Sequence, residues 1–147
     1  MSSTADFQED LKGSLATMEE LAGCAILIEE QKNFEYEAKE ALGKVGGFLC
    51  VIEAQSGRNT ERKLDRPRML TTVGLLFFFR PIVGEHASPA PAAKPSKIID
   101  AVLVHCHRLE VTKRNSFCHQ FESVGYSLIP DEDLLIYRVE LETTIQL

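Results

Sequence analysis

From Leu134 to Leu147 the chain reads LLIYRVELETTIQL, and its residues sort cleanly by parity. Leu135, Tyr137, Val139, Leu141, Ile145 and Leu147 share one parity, with Thr143 among them; Arg138, Glu140, Glu142, Thr144 and Gln146 share the other. This predicts a long half-buried β-strand, apolar on one face and polar on the other. The pattern runs to the last residue, so no disordered tail is expected after it. A chain end frays unless a sheet or an assembly holds it, which makes this strand a scaffold or a surface.

Upstream the period changes. Phe7, Leu11, Leu15, Met18 and Leu21 recur at helical spacing and predict an amphipathic helix over 4–22. Ser3 or Thr4 can cap it, Asp6, Glu9 and Asp10 suit the positive end of its dipole, and Gly23 is a natural stop. The run CAILI, Cys24 to Ile28, predicts a buried strand. Residues 33–44 return to helical composition, and Gly46-Gly47 precedes a second strand, Phe48 to Ala54. Residues 55–68, QSGRNTERKLDRPR, are almost wholly polar and predict the exposed tip of a hairpin. Its return strand is MLTTVGLLFFFR, Met69 to Arg80. The near-continuous apolarity after Val73 predicts burial on both faces, with helices on one side and a neighbouring subunit on the other.

Pro81 ends that strand, and 84–95, GEHASPAPAAKP, predicts an extended loop. Ser96 can cap a helix over 97–109, with Ile98, Val102 and Leu109 on its apolar side. Residues 112–116 read as a polar connection, 117–129 as a strand interrupted at Gly125, and 130–133 as a turn. The element order predicts a single α+β domain over 1–147: a mainly antiparallel β-sheet with two main helices packed on one face.

Composition narrows the partners. The chain has 147 residues, 44% hydrophobic, with a net charge of −6. That size suits one core, and the acidity argues against a general duplex-binding surface. The opening MSSTADFQED lacks a signal-peptide pattern, and the stretch Val73–Phe79 is too short to span a bilayer. The cysteines, Cys24, Cys50, Cys106 and Cys118, form no CxxC pair and read as reduced and mostly buried. A cytoplasmic setting without membrane insertion follows as the expectation.

Candidate chemistry is sparse. His105-Cys106-His107 with Cys118-His119 is the densest set of ligand-type residues. On a helix, however, His105 and His107 point about 200° apart and do not share one metal easily. Gly43-Lys44-Val45-Gly46-Gly47 lacks the Ser or Thr that follows the lysine of a phosphate loop. Glu140 and Glu142 share one strand face, where a solvated face is the simpler reading. The basic residues Arg58, Arg62, Lys63, Arg66 and Arg68 alternate with Glu61 and Asp65 and have no aromatic partners for stacking bases, which favours a protein contact over nucleic acid. No catalytic, cofactor or metal site is expected.

The segments LKGSLATMEELAG, GGFLCVIEAQSGRN, RMLTTVGLLFFFRP, KIIDAVLVHCHRLE and LLIYRVELETTIQL, in this order, resemble the tail terminator (tail completion) proteins of tailed bacteriophages. The resemblance lies in element order and hydrophobic pattern, over nearly the whole chain. The helical stretch at 33–44 and the proline-rich loop at 84–95 depart from it. It implies a non-enzymatic virion protein without cofactors, assembled in the host cytoplasm. As a homo-oligomeric ring, a hexamer in the family, it would cap the tail tube protein, stop tube growth and offer a docking surface to a head–tail connector protein. DNA would pass through the ring without sequence-specific binding. Under that resemblance Arg58, Arg62, Lys63, Arg66 and Arg68 are the candidate tail-tube contact. Phe77, Phe79, Arg138, Glu140 and Glu142 are the candidate subunit interface or lumen. Two rivals stand beside it: a head–tail connector or neck subunit, and a small metal-dependent nuclease using Glu140, Glu142 and His105 or His107. A bacterial adaptor domain unrelated to phage is a third.

Overall fold

A computed structural model describes residues 6–29, 33–43, 48–53, 56–59, 68–80, 94–107, 109–112, 118–131 and 134–146. The elements in chain order are α1 (Asp6–Leu15), a 3-10 turn (Glu19–Leu21), β1 (Ala25–Ile28), α2 (Phe34–Leu42), β2 (Phe48–Ile52), β3 (Ser56–Asn59), β4 (Arg68–Phe79), α3 (Pro95–Cys106), β5 (Glu110–Thr112), β6 (Cys118–Ile129) and β7 (Leu135–Gln146). The sheet order is β1-β2-β4-β7-β6-β5, with β3 also paired to β4. Among the described residues only β1 and β2 pair in parallel, and the other pairings are antiparallel. The α+β architecture with a mainly antiparallel sheet is thus as the pattern indicates.

The faces of the sheet follow from strand parity. Val73, Leu75, Phe77 and Phe79 of β4 share one face with Val139 and Leu141 of β7 and with Phe48, Cys50 and Ile52 of β2. Leu11 and Leu15 of α1, Leu21 of the 3-10 turn, and Ile98, Ile99 and Val102 of α3 close over them. Phe48 stacks on Phe79 at 4.7 Å, and Tyr137 meets Phe79 edge-on at 6.3 Å. The two main helices therefore share one face.

The opposite face is covered over part of its length. Leu27, Leu49 and Val51 form a second apolar cluster with Leu76 and Phe78, roofed by Phe34, Ala38, Ala41 and Leu42 of α2. Parallel strands need a crossover connection, and α2 supplies it between β1 and β2. This corrects the expected neighbour-subunit cover for the second face of β4. It also removes Phe77 and Phe79 from the candidate subunit interface. Both rings are buried in the subunit's own core, Phe77 fully so.

Local chemistry moved several boundaries. The first helix stops at Leu15, after which the Thr17 and Met18 N–H groups donate to the Ser14 and Leu15 carbonyls three residues back, and the Thr17 hydroxyl joins the Ser14 carbonyl at 2.6 Å. The chain then makes a separate 3-10 turn that still delivers Leu21 to the core. Helix α3 begins at Pro95, whose fixed φ suits the first helical position; Ser96 lies inside the first turn, and no side chain caps that end. The interruption at Gly125 is a β-bulge within one strand, between Ser123 and Gly125. A short strand, β5, follows the helix at Glu110–Thr112 and meets the expected polar connection only at Thr112; residues 113–116 lie outside the described residues. The phosphate-loop residues 44–47, the charged-loop residues 60–67 and most of the proline-rich loop, 81–93, lie outside the described residues.

Replacing Phe77 with Ala should destabilise the isolated subunit by about 3–5 kcal/mol, as expected for a fully buried ring. Phe78→Ala, under α2 and half-buried, should cost less. Urea unfolding of both variants checks the order; a Phe77→Ala protein as stable as the parent would refute this core.

Candidate functional site

Where α2 stops, the second face of the sheet turns polar. Arg138, Glu140 and Glu142 of β7 lie on this face, at partly exposed positions. The antiparallel register puts Thr72 of β4 and Glu122 of β6 on either side of Glu142. Arg58 of β3 is opposite Leu70, and Leu70 is opposite Thr144, so Arg58 belongs to the same face. The sheet thereby gathers Arg58, Arg138, Glu140 and Glu142 onto one surface. Arg68 opens β4 on the same parity. Arg62, Lys63 and Arg66 lie outside the described residues.

Arg138 organises the centre of this surface. Its Nε donates to Glu53 Oε1 at 2.9 Å, and its Nη1 lies 3.8 Å from Glu140 Oε2. The first contact spans two strands, from β7 across β4 to the end of β2, over Gly74. A Cβ at Gly74 would sit 2.6 Å from Glu53 Oε1 and 2.7 Å from Arg138 Nη2. Glycine at 74 is what lets the ion pair lie flat across the middle strand. The backbone of Glu53 is also held: its N–H donates to the Gly74 carbonyl at 2.9 Å, and its carbonyl accepts from Gln8 Nε2 at 3.1 Å. Gln8 is a buried polar residue of α1. An isolated glycine inside an apolar strand signals close approach of another group, and that cue stood in the sequence at VGLL.

The outer half of this surface is uncompensated. Glu122 and Glu142 face each other directly across β6 and β7, a pairing of like charges that costs stability in the isolated sheet. Among the described residues no cation pairs with either, and no carboxylate pairs with Arg58.

The sheet edges differ. Beyond Phe121, whose N–H donates to the Leu109 carbonyl at 2.9 Å, no described strand pairs with the outer edge of β6. That edge carries Val124, Tyr126 and Leu128, exposed to 51%, 62% and 55%. Free edges are normally guarded by charge or proline; from Phe121 to Ile129 the only charged residue is Glu122. At the other side β3 pairs with β4 alone, and its four residues are all exposed.

The three ligand-type residues at the end of α3 go to different surroundings. Cys106 is core, and His107 is exposed at the end of α3. His105 is turned to α1, its Nε2 hydrogen-bonded with Ser14 Oγ at 3.0 Å. This contact was not legible in the sequence, because 91 positions separate the pair. It borders a shallow hollow of about 480 Å³ between the helices, floored by Met18 and Ala101 and flanked by Glu20 and Asp100. A serine–histidine nucleophile needs a group orienting the imidazole. Among the described residues no carboxylate bonds to His105, so the contact serves to tie α1 to α3. No group of three or more His, Cys, Asp or Glu among the described residues is placed to share a metal ion. No helix among them is long and apolar enough to cross a membrane. The sequence matches no protein-family model and no curated protein.

Two thiols, Cys50 and Cys106, are buried and a third, Cys24, is half-buried. Burial pushes Cys24 and Cys106 up to about 12, and Cys50 well above its ordinary value through burial first and then its neighbours Cys24 and Cys106. They stay protonated and poorly nucleophilic near neutrality.

A double-mutant cycle of Glu53→Gln and Arg138→Gln should give a coupling of about 0.5–1 kcal/mol, modest because the pair is partly solvated. In a Gly74→Ala background that coupling should vanish; an unchanged value would show that the glycine does not admit the pair. The thiols have the opposite exposure. Iodoacetamide at pH 8 should leave Cys24, Cys50 and Cys106 unmodified in the folded protein, as read by peptide mass mapping. Because their folded pKa values are raised, the stability they contribute is present below about 9 and is lost as pH climbs toward about 12. Chemical denaturation from pH 8 to pH 10 should show the decline, and Cys106→Ala should flatten it.

Proposed function

We propose that this chain is a structural virion protein, the subunit of a ring that caps a phage tail tube, ends its polymerisation and offers the head a docking surface. One observation carries the reading: among the described residues two unlike strand edges are left unpaired, an apolar one along β6 beyond Phe121 and a polar one at the four-residue β3, while β1 and β5 stand at the ends of the strand order. A surface that binds a different surface on the next copy generates rings when the rotation closes. Element order, from α1 through the β2–β4 hairpin to α3 and the closing strands, matches what the resemblance implies for the fold. Glu140 and Glu142 lie on the second face of the sheet, whereas His105 sits on α3 against Ser14 of α1 on the other, so the groups that the nuclease alternative would use are set apart.

In this reading the basic hairpin between β3 and β4 meets the tube. The polar face with Arg138 and Glu140 faces the lumen, where carboxylates do not hold passing DNA phosphates. Purified protein added to growing tail tubes of the same phage should stop their elongation and appear as a terminal ring by electron microscopy. Particles lacking it should carry overlong tails. Tubes that grow on without a cap would refute the reading, and normal tails without heads would assign the chain to the neck instead.

A further inference from the structure

We propose that copies of this chain join head to tail, with Arg58 of one copy seated in the hollow between the 3-10 turn and α3 of the next. The proposal deepens the ring reading and rests on it for the closure of the contact into a ring.

Arg58 is the guanidinium left over within the subunit. Arg138 holds Glu53, Arg80 donates to the Leu42 carbonyl at 2.8 Å, and Arg68 is engaged as well. Among the described residues Arg58 has no such partner, and it stands on β3, a strand whose four residues are all exposed.

The hollow offers what an arginine side chain needs. It measures about 480 Å³, and Met18, Ala101 and Val104 give it an apolar lining, with Val104 exposed to 77%. Glu20 and Asp100 stand at its rim, both exposed, and among the described residues no cation pairs with either. The hollow also adjoins the C-terminal end of α1, the negative end of that helix's dipole. Arginine lays its apolar stem along such a surface and carries its planar donors to the carboxylates beyond. Seated there, it gives both carboxylates a counter-charge and gains its own.

One copy cannot make this contact with itself. Arg58 lies on the second face of the sheet, with Leu70 and Thr144, whereas the hollow lies among the helices on the first. The two surfaces are unlike, so each copy gives its Arg58 to one neighbour and its hollow to the other, the heterologous arrangement from which rings are built. β1 ends opposite Ile52, six positions short of Arg58, and the exposed β3 leaves the side chain within a neighbour's reach. Arg58 thereby leaves the tail-tube set and joins the subunit interface.

The test is a reciprocal charge swap. Arg58 and Asp100 are both exposed, so their replacement spares the fold, which circular dichroism verifies. Assembly is read by sedimentation velocity across a concentration series and by electron microscopy on tail tubes. Arg58→Glu alone and Asp100→Arg alone should each raise the concentration needed for assembly about tenfold or more, since each places like charges together. The two combined in one chain should restore assembly toward the parent level, a rescue that loss of a tube contact by Arg58 would not give. Single swaps that assemble as the parent does, or a combined swap that stays impaired, would overturn the contact and leave the ring reading standing. Swap-dependent assembly by a protein that leaves growing tubes uncapped would overturn the tail reading and leave the contact standing. Parent protein that neither self-associates nor caps tubes would overturn both.

Discussion

The antiparallel ladder between β4 and β7 is the constraint on which the rest of the molecule depends. The two strands pair along their whole length, Arg68 against Gln146 through Phe79 against Leu135. With side chains alternating across a sheet, that single register decides which face every neighbour must use. It places Val73, Leu75 and Phe77 beside Leu141, Val139 and Tyr137, which obliges α1 and α3 to cover that side. It places Leu76 and Phe78 beside Arg138 and Ile136, leaving a face apolar at one end and charged at the other. A slip of one residue would turn Glu140 and Glu142 into the core.

The charged end of that face needs its own accommodation, and glycine provides it. Three strands meet where Glu53 reaches Arg138, and the middle strand has to be nearly flat there. Gly74 removes the side chain that would otherwise hold the two charged groups apart. The same residue accepts the Glu53 N–H, and Glu53 in turn accepts from the buried Gln8 of α1. One polar chain thus runs from the helix layer through the β2 terminus to the open surface.

The sequence made the two long strands legible because their patterns are extreme. β7 alternates strictly, and β4 is apolar on both parities. Double burial of β4 was correct, but the identity of its second cover was not. The helical pattern of 33–44 marks Phe34, Ala38, Ala41 and Leu42 as one apolar side opposite solvated glutamates, and those four suffice to roof five apolar side chains. Period alone does not say which face of a sheet a helix returns to. Here the parallel pairing of β1 with β2 decides it, and that pairing is a tertiary fact. The polar surface was half legible for the same reason. Glu140 and Glu142 were visible on one strand, whereas Glu53, Glu122 and Arg58 come from three others and converge only through register.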